Sequence, residues 1–290
     1  MPKVSVCMVT YNHGEKIREA IDGVLMQQTS FDIELVIGND CSTDHTDAIV
    51  SEILQNHPKA GLIRYSNRER NEGMMANFAA VLQQCSGQYV AMCDGDDYWT
   101  DPLKLQKQVD FLDANPEYAL CFHRAKVLTP DGQLLPDYIT SVPDAHETLE
   151  DLVTRGNYIH TATVVYRNIV REFPAEFFRT PIGDYFMHIL VARHGKIKFL
   201  DAEMAVYRQG VGVLSQQQDI SGAFNLVKFY SCLLSYFDDR RLLEIVYGRQ
   251  LNLLNIYNSS ARHKFSSTAY LAKNKTFVGI FKVIVKKIIG

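Results

Sequence analysis

Asp94, Asp96 and Asp97 fall within four positions of one another in the run CDGDDYW, directly behind the apolar stretch YVAM. Like charges gathered at the end of a buried strand raise one another's pKa unless a cation or several hydrogen-bond donors compensate them. A hard divalent ion does this well. Mg²⁺ takes one or two carboxylates and fills its remaining positions with water and substrate phosphate, which suits a short acidic loop. The plain alternative is a solvated acidic turn capping a helix that starts at Pro102. The place of the cluster, behind a strand-like run, weighs against that alternative.

The elements that must position these carboxylates are strands alternating with helices. VSVCMV at 4–9 is a β-rich run ending in TYNHGE, after which Ile17, Ile21, Val24 and Leu25 recur at helical spacing. IELVIG follows, then NDCSTDHT and a helix carrying Ile49, Val50, Ile53 and Leu54, with Ser42 or Thr43 as N-cap. A third unit runs from LIRYS through a polar loop to a helix with Phe78, Val81 and Leu82, before the strand YVAMC. This alternation predicts a mostly parallel sheet covered by helices on both faces. In such a sheet the ligand crevice lies beyond the carboxyl ends of the strands. Those ends carry TYN at 10–12, GND at 38–40 and DGDD at 94–97, so three strands deliver acceptors to one rim.

Past residue 100 the rhythm changes. A helix is expected from Pro102 to Asp113, then a strand ALCFHRAKVL, a polar stretch over 129–150 and a strand TATVVYR. A helix over 184–194 precedes the strand-like KIKFL and MAVYR, and 220–290 reads mainly as helices, with Ala223, Val227, Tyr230 and Leu234 on one face. In the tail, Phe277, Ile280, Phe281, Ile284 and Ile288 share a helical face opposite Lys275, Lys282 and Lys286. This basic amphipathic pattern over 276–290 suits peripheral contact with an anionic membrane. The alternative is a helix docking on its own domain or on a second subunit, which leaves a homo-oligomer open.

The 290 residues are 47% hydrophobic, enough for a full core, and the formal charge of −3 gives no basic field of the kind that marks a nucleic-acid partner. Six cysteines without a CxxC pair read as reduced, structural thiols. The N-terminus lacks the pattern of a secretory signal, and no apolar run approaches ~18 residues, so a cytoplasmic protein is expected. Neither GxGxxG nor GxxxxGK[ST] is present. If a nucleotide binds, acidic and polar side chains must hold it: Asp40 can accept from the N3–H of uracil, and Asp94 from ribose hydroxyls. Taken alone, Asp40 is equally an Asx turn or a cap before the helix near Thr43.

As an ordered set, VSVCMVTYN, LVIGNDCSTDHT, RNEGMMANF, YVAMCDGDDYW, GDYFMHILVARHGKIKFLD and AVYR resemble the family 2 inverting glycosyltransferases of GT-A fold, over about residues 3 to 215. The resemblance implies an α/β GT-A domain with a Rossmann-like sheet, divided into a nucleotide-sugar half (1–100) and an acceptor half (101–215), with a C-terminal helical region at 216–290. It implies that Thr10, Tyr11 and Asn12 flank the nucleotide, that Asp40 reads the base, and that Asp94 and Asp96 form a DxD motif. Asp96 would be the first ligand of Mn²⁺ or Mg²⁺, bridged to the donor diphosphate. Arg68, Arg70 and Asn71 lie where the family places donor contacts, each arginine reading equally as a solvated loop residue.

An inverting transfer needs a base on the acceptor hydroxyl and separate charge stabilisation for the departing diphosphate. The family draws the base from a late ED or GD element opening a helix. Here PIGDYFMHIL supplies Asp184, at a helix end that favours an ionised carboxylate; the alternative is simple N-capping. Glu172 and Glu176 are weaker candidates. Where family members place a histidine two residues beyond the YR arginine, this chain has Gly210, which leaves Arg208 to meet the leaving group alone. His160 stands where it could face the acceptor or serve as a structural histidine.

The expected activity is transfer of a sugar from a nucleotide-sugar donor, UDP-linked, to a glycan or lipid-linked glycan hydroxyl in bacterial surface polysaccharide assembly. If the tail meets lipid, this happens at the inner face of the membrane. The alternatives are a sugar-phosphate nucleotidyltransferase, opposed by the lack of a Gly-rich basic loop in VTYNHGE, and a non-catalytic glycan-binding subunit. A haloacid-type phosphatase is disfavoured because its acidic motif would follow the first strand.

Overall fold

VSVCMVT forms the strand β1 (Val4–Thr10), and its near-continuous burial is what a parallel strand covered on both faces requires. In the computed structural model, which describes residues 1–211 and 220–266, it is followed by α1 (Lys16–Leu25), β2 (Ile33–Asn39), α2 (Thr46–Asn56), β3 (Ile63–Asn67), α3 (Met74–Gln84) and β4 (Tyr89–Met92). These strands lie in the order β3-β2-β1-β4, all parallel. Val4, Val6 and Met8 of β1 join a core with Ile17 and Ile21 of α1 and Val50 of α2. On the other face β2 meets α3 so closely that a Cβ on Gly38 would lie 2.3 Å from Val81 Cγ2, a clash only glycine avoids.

The sheet continues with β5 (Tyr98–Trp99), α4 (Lys104–Ala114), β6 (Tyr118–Leu128), β7 (Leu134–Pro136), α5 (Leu149–Arg155), β8 (Val165–Arg167), α6 (Ala175–Arg179), α7 (Gly183–Ala192) and β9 (Lys196–Arg208). Its order beyond β4 is β8-β6-β9-β5, with β7 beside β6. Here the pairing is mixed: β8 is antiparallel to β4 and β6, whereas β6 and β9 run parallel. The result is the expected α/β GT-A architecture: parallel in the half that delivers the acidic rim, mixed in the half that carries Asp184.

Several local expectations change. α2 starts at Thr46, not beside Ser42 or Thr43; Asp44 Oδ1 accepts from Thr46 N at 3.0 Å and so serves its first turn. α4 begins at Lys104, because Asp101 Oδ1 accepts from Leu103 N and holds Pro102 in the preceding turn. TATVVYR splits into a 3₁₀ turn at Thr161–Thr163 and the strand β8. KIKFL and MAVYR merge into one strand, β9, carried past an irregularity opposite Arg124. All six cysteines are free.

The chain divides into two compact units, Met1–Gln217 and Gln218–Gly290. The second contains α8 (Ile220–Tyr236) and α9 (Arg240–Ser266). Within it, Gln250 Nε2 donates to Val227 O and Ser231 Oγ, and Arg249 lies over the Tyr230 ring, its Cζ 5.6 Å from the centroid. Among the described residues no helix is long and apolar enough to cross a membrane. The amphipathic tail at 276–290 lies outside the described residues.

Candidate functional site

The loops after β1 and β2 are laced together. Asn12, in the left-handed region at φ 56°, accepts from Thr43 N at 2.8 Å, and its own N–H donates to Ser42 Oγ at 2.8 Å. Ser42 in turn bonds Asn39 Oδ1, and Cys41 also takes a positive φ, 61°. Two non-glycine residues in this sparsely populated region, on adjacent strand ends, mark a rim whose shape the surrounding bonds impose. Thr10 is buried with its hydroxyl 3.1 Å from His13 Nδ1, while Tyr11 is exposed beside it.

Asp40 is buried, and its two oxygens accept from the backbone N–H groups of Glu72 and Gly73, each at 2.9 Å. It therefore ties the end of β2 to the start of α3. Arg68 joins that anchor: its Nε lies 3.9 Å from Asp40 Oδ1 and donates to Asn77 Oδ1, and it pairs with Glu72. Arg70 and Asn71 stand out in solvent on the same loop.

The acidic loop is pinned at both ends. Cys93 N donates to Cys7 O and Gly95 N to Val9 O, and then Tyr98–Trp99 pairs with β9. A Cβ on Gly95 would meet Thr10 Oγ1 and His13 Nδ1 at 2.8 Å, so the backbone presses directly against the β1 loop. Asp96 is buried with His13 Nε2 3.9 Å from its Oδ2. Burial lowers the His13 pKa, and the charge of Asp96 opposes that shift. Asp97 faces elsewhere: its Oδ1 accepts from Arg208 N at 2.8 Å. Burial, then repulsion from Asp96, pushes Asp97 well above the usual carboxylate range. Arg208 donates to the Asp96 carbonyl at 2.6 Å, pairs with Glu19, and has its Cζ 4.6 Å from the centroid of the Tyr98 ring. Its guanidinium therefore braces the acidic loop from behind.

Asp184 is the second residue of α7, where Thr161 Oγ1 donates to its Oδ2 at 3.1 Å and Asn157 Nδ2 at 3.4 Å. Although ninety positions separate them, Asp184 acts on Asp94. Burial first, then the charges of Asp96 and Asp184, push the Asp94 pKa well above its ordinary value. The fold thus brings the charge of Asp184 to bear on Asp94, while Asp96 is joined to Thr10 through His13. Asp40, Arg68, Arg70 and Asn71 form a separate cluster along the rim. His160 is turned to Asp137, 3.0 Å from its Oδ2, and Glu172 and Glu176 enter no contact with Asp184.

Among the described residues the Asp94 carboxyl accepts no hydrogen bond and pairs with no cation, so nothing in the protein offsets the burial and neighbouring charges that disfavour its ionised form. A hard oxygen donor set short of positive charge fits Mn²⁺ or Mg²⁺ held through one or two carboxylates. No group of three or more His, Cys, Asp or Glu residues forms a protein-only cage among the described residues. Sequence reasoning missed His13, Glu19, Asn157 and Thr161. Of these only His13, in TYNHGE behind the first strand, carried a signal that could have been followed.

The model of glycosyl transferase family 2 matches residues 5–174. Rv1520, an uncharacterized protein of Mycobacterium tuberculosis strain H37Rv, is 41% identical over 208 residues, covering 71% of this chain. The chain spans 58% of that relative's length. Among solved structures, Staphylococcus aureus TarS 1–349 in complex with UDP-GlcNAc superposes with a TM-score of 0.61 at 19% identity, covering 95% of this chain and 76% of that one. The mannosyltransferase PcManGT from Pyrobaculum calidifontis, in complex with GDP-Man and Mn²⁺, gives 0.62 at 14% identity, covering 100% and 81%. At these identities the two structures share the fold with this chain.

Proposed function

The chain belongs to glycosyl transferase family 2, and on that premise we propose that it is an inverting, metal-dependent glycosyltransferase that moves a sugar from a UDP-sugar to a hydroxyl of a glycan acceptor in bacterial surface polysaccharide assembly. The observation that carries the reading is that Asp184, at the start of α7, lies near enough for its charge to act on Asp94 of the acidic loop, ninety positions earlier. It supplies in one place the two chemically distinct functions that an inverting transfer needs. Asp96 and Asp94 would hold Mn²⁺ or Mg²⁺, which when bound contributes positive charge to the departing diphosphate.

Asp184 takes the proton of the acceptor hydroxyl as its oxygen bonds to the anomeric carbon and the bond to the diphosphate breaks. Thr161 and Asn157 hold that carboxylate in one orientation. Thr10, Tyr11 and Asn12 line the nucleotide's approach. Asp40 has acceptor positions left beyond its two amide bonds, since a carboxylate offers about four, and one of these takes an N–H of the base. Arg68, Arg70 and Asn71 border the donor. Arg208 keeps the acidic loop in place behind the diphosphate.

A thermal-shift panel of UDP-, GDP- and TDP-sugars with and without Mn²⁺ tests this, because a ligand that binds only the folded chain raises its apparent stability. UDP-sugars are expected to raise the Tm only when Mn²⁺ is present. A panel without any metal-dependent shift contradicts the reading.

A further inference from the structure

Trp99 closes the acidic run CDGDDYW and is the sole tryptophan of the chain. Its backbone is fixed on two sides: it pairs with Ala205 of β9, and α1 approaches so closely that a Cβ on Gly23 would lie 2.8 Å from Trp99 N. The residue is 2% exposed, so its one polar side-chain atom, Nε1, must find an acceptor inside the protein. It donates to Ala162 O at 2.8 Å. Ala162 sits in the 3₁₀ turn Thr161–Thr163, next to the residue whose hydroxyl donates to Asp184. One indole thus ties the strand that ends the acidic loop to the turn that holds the base.

A second buried bond fixes the same turn. Lys104 of α4 is fully buried with its Nζ over the Trp99 ring, 4.0 Å from the centroid, and it donates to Gln108 Oε1 at 2.8 Å. With Oε1 so engaged, Gln108 turns its Nε2 to Thr163 O at 3.0 Å and to Cys121 O at 3.1 Å. The carbonyls of Ala162 and Thr163 are therefore held by one connected set of side chains from β5 and α4. A buried polar network with its partners in place rigidifies what it holds. Rigidity matters here because a small displacement of a reacting group costs rate even where binding is untouched.

We propose that Trp99 is a positioning residue that sets the acidic loop and the base in register, acting through Ala162 and Thr161, with Lys104 and Gln108 locking the turn. Its effect on rate rests on the glycosyltransferase reading, but one arm of the test does not. In the full chain carrying isotopically labelled tryptophan, the single indole N–H gives one NMR signal. That proton should exchange at least ~10³-fold more slowly than in free indole, and its signal should move in Asp184→Asn, two links away. Exchange at the free rate, or a signal indifferent to Asp184→Asn, would overturn the link. The other arm measures Mn²⁺-dependent UDP release from UDP-GlcNAc, UDP-glucose and UDP-galactose, with water as acceptor. Trp99→Phe keeps a ring for Lys104 and removes the N–H, and should lower kcat about tenfold with KM within about twofold of the parent. In the Thr161→Val background it should cost less than about twofold more, since the route to Asp184 is already cut. Effects that multiply, as for a tryptophan that only fills the core, or an unchanged kcat, would overturn the proposal. A parent that releases no UDP would count against the glycosyltransferase reading, and the indole signal, which needs no change at position 99, would then judge the link alone.

Discussion

The two halves of the Met1–Gln217 unit treat their polar groups differently. Around β1 to β4 the loop side chains are mutually engaged: Asn12 with Thr43, Ser42 with Asn39, Asp40 with the amides of Glu72 and Gly73. Every buried polar side-chain atom left without a partner among the described residues belongs to His123, Tyr166 or His188, in the half built from β6 to α7. A parallel sheet assembled from repeated strand–loop–helix units closes its rim by itself. The mixed half is assembled from unlike pieces and seals these atoms in its interior without partners. The exception in the first half, the Asp94 carboxylate, is the group that a metal ion would complete.

The largest effect that would break this division belongs to Asp96→Ala. It should abolish metal-dependent UDP binding, measured by thermal shift with and without Mn²⁺, and take transfer down by at least ~10³-fold. Full retention of the Mn²⁺-dependent shift would place the ion elsewhere. Thr161→Val removes one of two donors to Asp184 and should lower kcat by roughly ten- to a hundredfold with the donor KM unchanged. An unchanged kcat would show that Asn157 alone orients the base.

Asn12→Ala sharpens the picture of a self-complete rim. Losing the acceptor for Thr43 N and placing alanine at a positive φ should cost about 1–3 kcal/mol, read as a lower urea midpoint at constant m. Asn12→Gly, which accepts the φ, should cost less.

The smallest effect is a pH slope from the unsatisfied half. Burial pulls the His188 pKa down from 6.5 to about 4, with Asp184 opposing. The unfolded chain therefore takes up the proton first, so stability should fall as pH drops from about 6.5 towards 4 and not change further from this residue, by at most ~1.4 kcal/mol per pH unit. His123, also lowered by burial, adds in the same direction. Urea midpoints at pH 7 and pH 5 measure it, and His188→Phe should flatten the difference. An unaltered slope would assign it to other groups.

Much of the half built from β1 to β4 could be read from the sequence because local and tertiary signals coincide there. Ile17, Ile21 and Val24 recur at helical spacing and all three are buried in the core. The strand ends are polar, and they form the rim. What failed was the choice among adjacent polar residues: Ser42, Thr43, Asp44 and Thr46 all resemble caps, and only the position of Asn12 and Asn39 decides which of them serve the neighbouring loop. In the second half, β5 is two residues long, too short for any alternation to register. Thr161 is hidden inside a β-rich run, and only the tertiary approach of α7 gives its hydroxyl a role. Asp184 was singled out through its place in an ordered set of motifs, not through spacing.

Asp184→Asn addresses the division of labour most directly, because the substitution keeps the side chain's shape and removes only its capacity to take a proton. UDP–Mn²⁺ affinity and sugar transfer should be measured side by side on this variant. The account predicts donor affinity within about twofold of the parent and transfer reduced by ~10²–10⁴-fold. Transfer at the parental rate, or loss of UDP binding along with activity, would contradict it.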